Sequence, residues 1–115
     1  MSNTTHNLKL NAGPFASVAA GTKTIEMRLM DEKRKQIKVG DTIIFSHRED
    51  ADKKVTAKVV ALHPFKNFDE LYKNFDKTVL GYEESEEAKP EDMTQYYPQE
   101  EIDSYGVVGI EIKLI

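Results

Sequence analysis

The stretch GTKTIEMRL, residues 21–29, places charged side chains inside an apolar alternation. In a β-strand over residues 23–29, successive side chains point to opposite faces. The apolar ones share the face that is expected to join the core: Ile25, Met27 and Leu29. The polar ones share the other face: Thr24, Glu26 and Arg28. Lys23 lies at the mouth of this strand, shortly after a glycine that permits a tight turn.

The polar face has two interpretations. A carboxylate and a guanidinium two residues apart can pair, and together with Lys23 they would form a small ionic site suited to a polar, planar ligand. Alternatively, the face is solvated, and exposed Glu–Arg pairs of that kind contribute under about 1 kcal/mol and no function. The interpretations differ in whether Lys23, Glu26 and Arg28 point into a shared hollow or into bulk water.

The same residues carry a family resemblance. Gly21, Lys23, Glu26 and Arg28 match the G-x-K-x-x-E-x-R signature of ASCH domains, the activating-signal-cointegrator homology family. The match continues through Leu29, through DEKR at 31–34, through VGDTIIF at 39–45 and through YGVVGIEI at 105–112. The chain therefore resembles the compact bacterial, single-domain form of the family. This resemblance implies a PUA-like β-barrel that binds RNA, a nucleotide or a nucleoside in a cleft where the signature residues gather.

The resemblance also implies an alternative, because the family includes a small bacterial amidohydrolase that removes the acetyl group from N4-acetylcytidine. The catalytic lysine of that enzyme corresponds to Lys23, and its arginine corresponds to Arg28. Its nucleophilic threonine aligns with Glu26 and is not retained, and its distal glutamate has no clear counterpart. An enzyme would therefore rely on Lys23 and Glu26 as catalytic residues, with Thr24 as a substitute hydroxyl on the same face.

Length and composition limit the remaining possibilities. At 115 residues the chain predicts one domain, residues 1–115, with a single core. The polar N-terminus, the absence of cysteine and the lack of a long apolar run predict a cytoplasmic protein with no membrane segment. The net charge is −4, and residues 82–103 hold nine acids and one base, which leaves +4 on the rest. This pattern argues against binding along duplex DNA, which requires a basic domain.

The order of predicted elements favours a small α+β fold. Strands are expected near residues 6–10, 23–29, 42–46, 55–65 and 107–114. Short helices are expected at 11–21, after Asn67, from Lys89 and within 98–105, and residues 48–54 are expected to form a polar hairpin. Few crossovers and short helices predict a small β-barrel of mostly antiparallel strands with short flanking helices.

Further candidate residues flank this frame. Tyr96 and Tyr97 can stack on an unpaired base or simply pack in the core. The basic connector holds Lys33 and Arg34, which either lie in solvent or supply a phosphate contact at the rim of the site. The acidic segment 83–92 is either a mobile lid or a solvated loop. The three histidines are scattered and there is no cysteine, so neither a metal site nor a cofactor is predicted.

Overall fold

The computed structural model describes residues 3–115, which form one sheet and several short helices. The five strands are β1 (Thr5–Leu10), β2 (Ile25–Leu29), β3 (Thr42–His47), β4 (Lys54–Phe65) and β5 (Val107–Leu114). The three α-helices are α1 (Ala12–Ala19), α2 (Phe68–Asn74) and α3 (Gln99–Tyr105). Two 3₁₀ helices, Arg34–Gln36 and Pro90–Gln95, complete the regular structure, and the second replaces the α-helix that the sequence predicts from Lys89. The α+β class is therefore confirmed.

The strands are ordered β1-β3-β4-β5-β2 in the sheet. The β1–β3 pair is parallel, whereas the β3–β4, β4–β5 and β5–β2 pairs are antiparallel, as a mostly antiparallel sheet requires. The predicted closed barrel is wrong, because β1 and β2 are edge strands that do not pair and the sheet is a half-barrel. We call the gap between these two edges the open seam. Arg28 crosses it from β2 and donates to the main-chain carbonyl of Lys9 on β1 at 2.9 Å.

Apolar clusters cover both faces of the sheet. We call these faces the α1 face and the α2 face, after the helix that packs on each. The α1-face cluster includes Leu8, Phe15, Val18, Phe45 and Ile110. The α2-face cluster includes Ile25, Met27, Leu29, Phe68 and Leu71. The predicted core side of residues 23–29 is thus buried, although the strand itself begins at Ile25. Burial of apolar surface on both sides stabilises the sheet on each face.

Local sequence signals fix the ends of the helices beside the site. After α1, the backbone of Gly21 has φ 82°, a left-handed conformation that terminates the helix and turns the chain toward β2. Asn67 caps α2, and its side-chain oxygen accepts a hydrogen bond from the Glu70 amide at 2.9 Å. Within residues 3–115, no helix is both long enough and apolar enough to cross a membrane.

Candidate functional site

Three ionic side chains meet at the start of β2. The Lys23 ammonium lies 2.9 Å from Glu26 Oε1, and Arg28 donates from Nε to Glu26 Oε2 at 3.0 Å while its Nη2 lies 2.9 Å from the same oxygen. The exposed fraction is 2% for Glu26 and 8% for Lys23. We call this group the ionic triad. Its members converge and are buried, so the interpretation as a solvated surface pair does not describe them.

The register of β2 decides where the triad points. Glu26 lies opposite Ile110 of β5, and Arg28 lies opposite Val108. Residues that face each other across an antiparallel pair share a side of the sheet, and both β5 residues belong to the α1-face cluster. Glu26 and Arg28 therefore lie on the α1 face, at the open seam, and not on the face that α2 covers.

Lys23 reaches the triad along a groove that a glycine keeps open. A methyl group built on Gly81 would lie 3.0 Å from Lys23 Cδ and 3.5 Å from its Cγ. The backbone of Gly81 has φ 104°, which side-chain-bearing residues rarely adopt. The neighbouring main chain is fixed as well, since the carbonyl of Val79 accepts from the amides of Thr24 and Ile25 at 3.0 Å. The turn before Gly81 thus positions both the side chain and the backbone at the start of β2.

The charges of the triad stabilise one another. Burial raises the pKa of the Glu26 carboxyl, but the charges and hydrogen bonds of Lys23 and Arg28 outweigh it and lower that pKa to about 2. Burial lowers the pKa of Arg28, but Glu26 and the nearby Tyr97 hydroxyl raise it above its ordinary value. Glu26 is therefore a fixed carboxylate at neutral pH.

The triad lines a cavity of about 590 Å³ that opens between α1, the open seam and residues 80–97. Such a volume is typical of small-molecule sites. The basic side chains on its wall are Lys9, Lys23, Arg28, Arg34 and Arg48. The acidic ones are Glu26, Glu83, Glu86 and Asp92. Apart from Glu26, the acids come only from segment 83–92, so the acidic wall of the cavity and its basic side chains come from different segments of the chain.

The two predicted tyrosines lie at this cavity in different environments. Tyr97 stacks on Phe68, with ring centroids 6.2 Å apart and planes inclined at 15°. Tyr96 is 49% exposed and also lines the cavity. Thr24 is not among the lining residues, although Lys23, Glu26 and Arg28 are. A binding role for any of these residues stays a prediction.

Segment 83–92 is held in place by contacts that its acidic composition does not signal. The Lys77 ammonium donates to the main-chain carbonyls of Glu84 at 2.7 Å and Glu86 at 2.6 Å. The Tyr82 hydroxyl lies 2.8 Å from that of Tyr72 and donates to Asp92 at 2.9 Å. Burial and these hydrogen bonds raise the pKa of the Tyr82 phenol. The segment is thus a tethered wall of the cavity in this conformation.

Two basic residues of the site were not predicted from the sequence. Lys9 on β1 and Arg48 after β3 line the cavity, but neither belongs to a recognisable motif. Their proximity follows from the parallel β1–β3 pair, in which Leu10 lies opposite His47 and the Arg48 amide donates to the Leu10 carbonyl at 2.8 Å. Across residues 3–115, no three histidine or carboxylate side chains gather closely enough to hold a metal ion.

Comparison with known proteins agrees with this architecture. The crystal structure of the hypothetical protein PH0355 is similar over 96% of this chain and 99% of that chain, with 31% sequence identity and a TM-score of 0.80. The solution structure of protein PF0455 from Pyrococcus furiosus is similar over 96% and 97% of the two chains, with 28% identity and a TM-score of 0.69. No curated protein matches the chain significantly. The ASCH domain model matches residues 8–115, nearly the whole sequence, and the chain therefore belongs to the ASCH domain family.

Proposed function

We propose that the cavity binds a nucleotide, a modified nucleoside or a short single-stranded RNA, with the ionic triad as its recognition surface. The ASCH family is associated with RNA binding, which supports a ligand of this class. The observation that carries the proposal is the burial of Lys23, Glu26 and Arg28 on the wall of a cavity large enough for a nucleoside. The proposal also includes a PUA-like relationship, membership of the compact bacterial form of the family and a cytoplasmic location for the protein.

The triad is suited to hold donors in fixed directions. Both Glu26 oxygens are occupied, so this carboxylate orients Lys23 and Arg28 and leaves their remaining N–H groups for a ligand. The Nε and Nη2 groups of Arg28 are engaged by Glu26 and by the Lys9 carbonyl, so its Nη1 group is the one that can donate to a base edge or a phosphate. The half-exposed ring of Tyr96 offers a stacking surface for a base at the same cavity.

The same geometry favours binding over amide hydrolysis. A carboxylate with a pKa near 2 is a weak general base at neutral pH, and both Glu26 oxygens are already hydrogen-bonded. The substitute hydroxyl of Thr24 lies outside the cavity lining. An amidohydrolase of the N4-acetylcytidine type would retain Lys23 and Arg28 but would lack both the nucleophilic threonine and the distal glutamate that the resemblance assigns to its chemistry.

A titration with matched variants tests this proposal. We expect fluorescein-labelled tetranucleotide RNAs, or mononucleotides measured by calorimetry, to bind the wild type and to lose at least tenfold in affinity in Arg28→Ala. Lys58→Ala is the control, because it removes an exposed β4 lysine that lines neither cavity. Acetate release from N4-acetylcytidine that Lys23→Ala abolishes would instead identify the enzyme. Equal affinity in wild type and Arg28→Ala would refute the binding proposal.

A further inference from the structure

Beside the main cavity, on the same side of the open seam, lies a second hollow of about 270 Å³. Five cationic residues line it, and we call it the basic hollow: Lys9, Arg28, Lys33, Arg34 and Arg48. No carboxylate of the described chain lines it. All of its cationic residues except Lys33 also line the main cavity, so the two spaces are neighbours that share four basic side chains.

Most of the positive charge in the basic hollow is not neutralised by the protein. Arg28 pairs with Glu26, and Arg34 pairs with Asp31 at 2.7 Å. Lys9, Lys33 and Arg48 have no ion-pair partner within residues 3–115, and Arg48 instead donates from Nε to the neutral Asn11 amide oxygen at 2.8 Å. Like charges gathered in this way repel one another, so their proximity does not serve the stability of the fold.

Arg34 adds a second observation. Its guanidinium is largely enclosed, and its Nε is buried without a hydrogen-bond acceptor in the described part of the chain. Buried donors nearly always have a partner, and an exception calls for an explanation. An anion in the basic hollow would supply acceptors to a guanidinium whose own hydrogen bonding is incomplete.

The charge layout distinguishes the two spaces. Glu83, Glu86 and Asp92 line the main cavity only, and the basic hollow has no acid. Repulsion from the acidic wall would drive an anionic group toward the hollow, whereas a neutral base and ribose would fit the cavity of mixed charge. The whole chain carries −4, so this concentration of positive charge is local.

We infer that the basic hollow is a phosphate site, so that the ligand is a phosphorylated nucleoside or an RNA strand whose phosphate lies between Lys33, Arg34 and Arg48. This inference rests on the proposed function and deepens it, because it selects phosphorylated ligands over free nucleosides. Arginine binds phosphate through two parallel hydrogen bonds, and lysine contributes as a point charge. The phosphate group is the shared feature of a terminal monoester and of a backbone diester.

The first experiment compares ligands that differ only in phosphate. We expect the four ribonucleoside 5′-monophosphates to bind at least tenfold more tightly than the four nucleosides, as measured by calorimetry. In Lys33→Ala and Arg48→Ala this advantage should fall by about tenfold, whereas Lys58→Ala should retain it. For a tetranucleotide RNA with a 5′-hydroxyl, Lys33→Ala and Arg48→Ala should each also reduce the slope of log affinity against log salt by about 1.

The arms of the experiment separate the possible outcomes. Tighter binding of monophosphates than of nucleosides, with no effect of Lys33→Ala or Arg48→Ala on the tetranucleotide, identifies a terminal phosphate. An effect of these variants on the tetranucleotide alone identifies the backbone diester. Equal binding of nucleosides and monophosphates, together with a tetranucleotide affinity that Lys33→Ala and Arg48→Ala leave unchanged, would overturn the phosphate site and leave the proposed function standing. Inorganic phosphate followed by amide chemical shifts probes the hollow by itself. Shifts at residues 33, 34 and 48 without binding of any nucleoside, nucleotide or RNA would support the anion site and overturn the proposed function.

Discussion

Two buried carboxylates of this protein have similar exposure and different surroundings. Glu26 is 2% exposed and Asp41 is 4% exposed. Asp41 Oδ1 accepts a hydrogen bond from the Thr4 amide at 3.1 Å. Its Oδ2 accepts from the Lys38 amide at 3.0 Å and lies 2.7 Å from His6 Nε2. It therefore ties β1 to the turn before β3. Glu26 has cationic side chains as its main partners, and these line a cavity.

The comparison shows what separates a structural carboxylate from one in a candidate site. Burial raises the pKa of Asp41, but hydrogen bonds from His6 and from the Lys38 and Thr4 amides outweigh it and lower that pKa. Glu26 has a lowered pKa as well, so a perturbed pKa does not distinguish the two groups. The distinguishing feature is the partner set, because Asp41 binds two main-chain amides and His6, which line neither cavity, whereas Lys23 and Arg28 keep unused donors beside an open cavity.

The largest effect is expected from removal of Glu26. Glu26→Ala leaves Lys23 and Arg28 buried without their common counter-charge, and we expect the free energy of unfolding to fall by about 3–5 kcal/mol. Urea denaturation followed by circular dichroism measures this change. Glu111→Ala is the matched control, because Glu111 pairs with His63 at a partly exposed position, where the loss should stay under about 1 kcal/mol. Equal losses in both variants would contradict the central role of Glu26.

The pH dependence of stability gives the second largest effect. The pKa of Glu26 is about 2 in the folded protein against an ordinary value of 4.5. Because the folded-state pKa is depressed, its contribution is present above pH 4.5 and is lost as the pH falls toward 2. The span corresponds to roughly 3 kcal/mol.

We therefore expect the difference in unfolding free energy between the wild type and Glu26→Gln to shrink between pH 5 and pH 2. Denaturant melts at half-unit pH steps measure it. The contribution of Asp41 to stability also falls as the pH is lowered, because its pKa is lowered as well. Repeating the comparison with Asp41→Asn present in both proteins therefore isolates the contribution of Glu26. A difference that stays constant over this pH range would show that the folded-state pKa of Glu26 is not depressed.

The part of the site that the sequence predicts is the part that lies on one strand. Alternation over residues 23–29 separates Ile25, Met27 and Leu29 from Glu26 and Arg28, and the register with β5 preserves this separation. Such a pattern is local, because the period of a strand is fixed by backbone geometry. The bounds of β5 and the Asn67 cap were predictable for the same reason.

The sequence offered Lys33 and Arg34 as candidate phosphate contacts, but the rest of the basic hollow could not be predicted, because it depends on strand pairing between distant segments. Lys9 and Arg48 are 39 positions apart, and residues 48–54 have the composition of a solvated hairpin. Only the parallel pairing of β1 with β3 brings them to one place. Closure of the sheet is equally non-local. The sheet does not close into the predicted barrel, since β1 and β2 do not pair and the Arg28 side chain, not main-chain pairing, links β2 to Lys9 across the open seam.

Asp41→Asn tests the comparison from its structural side. An amide in place of the carboxylate cannot accept from Thr4, Lys38 and His6 with the same strength, and we expect a loss of about 1–3 kcal/mol in stability. The affinity for a tetranucleotide RNA should not change, because Asp41 lines neither cavity. Thermal melts and fluorescence anisotropy on the same preparations measure both quantities. Reduced affinity in a folded Asp41→Asn variant would remove the distinction between the two carboxylates.

Gly81→Ala should lower stability about as much as Asp41→Asn and should have a smaller effect on binding than Arg28→Ala. The new methyl group would lie 3.0 Å from Lys23 Cδ, and φ 104° is unfavourable for alanine, so we expect a cost of about 1–3 kcal/mol. Lys23 must shift to relieve the contact, which loosens its ion pair with Glu26 and should weaken RNA binding severalfold. Gly13→Ala is a control for stability alone, because Gly13 lines the main cavity, a methyl group there meets no atom within 4 Å and its helical position favours alanine by up to about 1 kcal/mol. If Gly81→Ala lowers stability and leaves affinity unchanged, the position of Lys23 matters to the fold alone, and the functional reading of the triad would rest on Arg28.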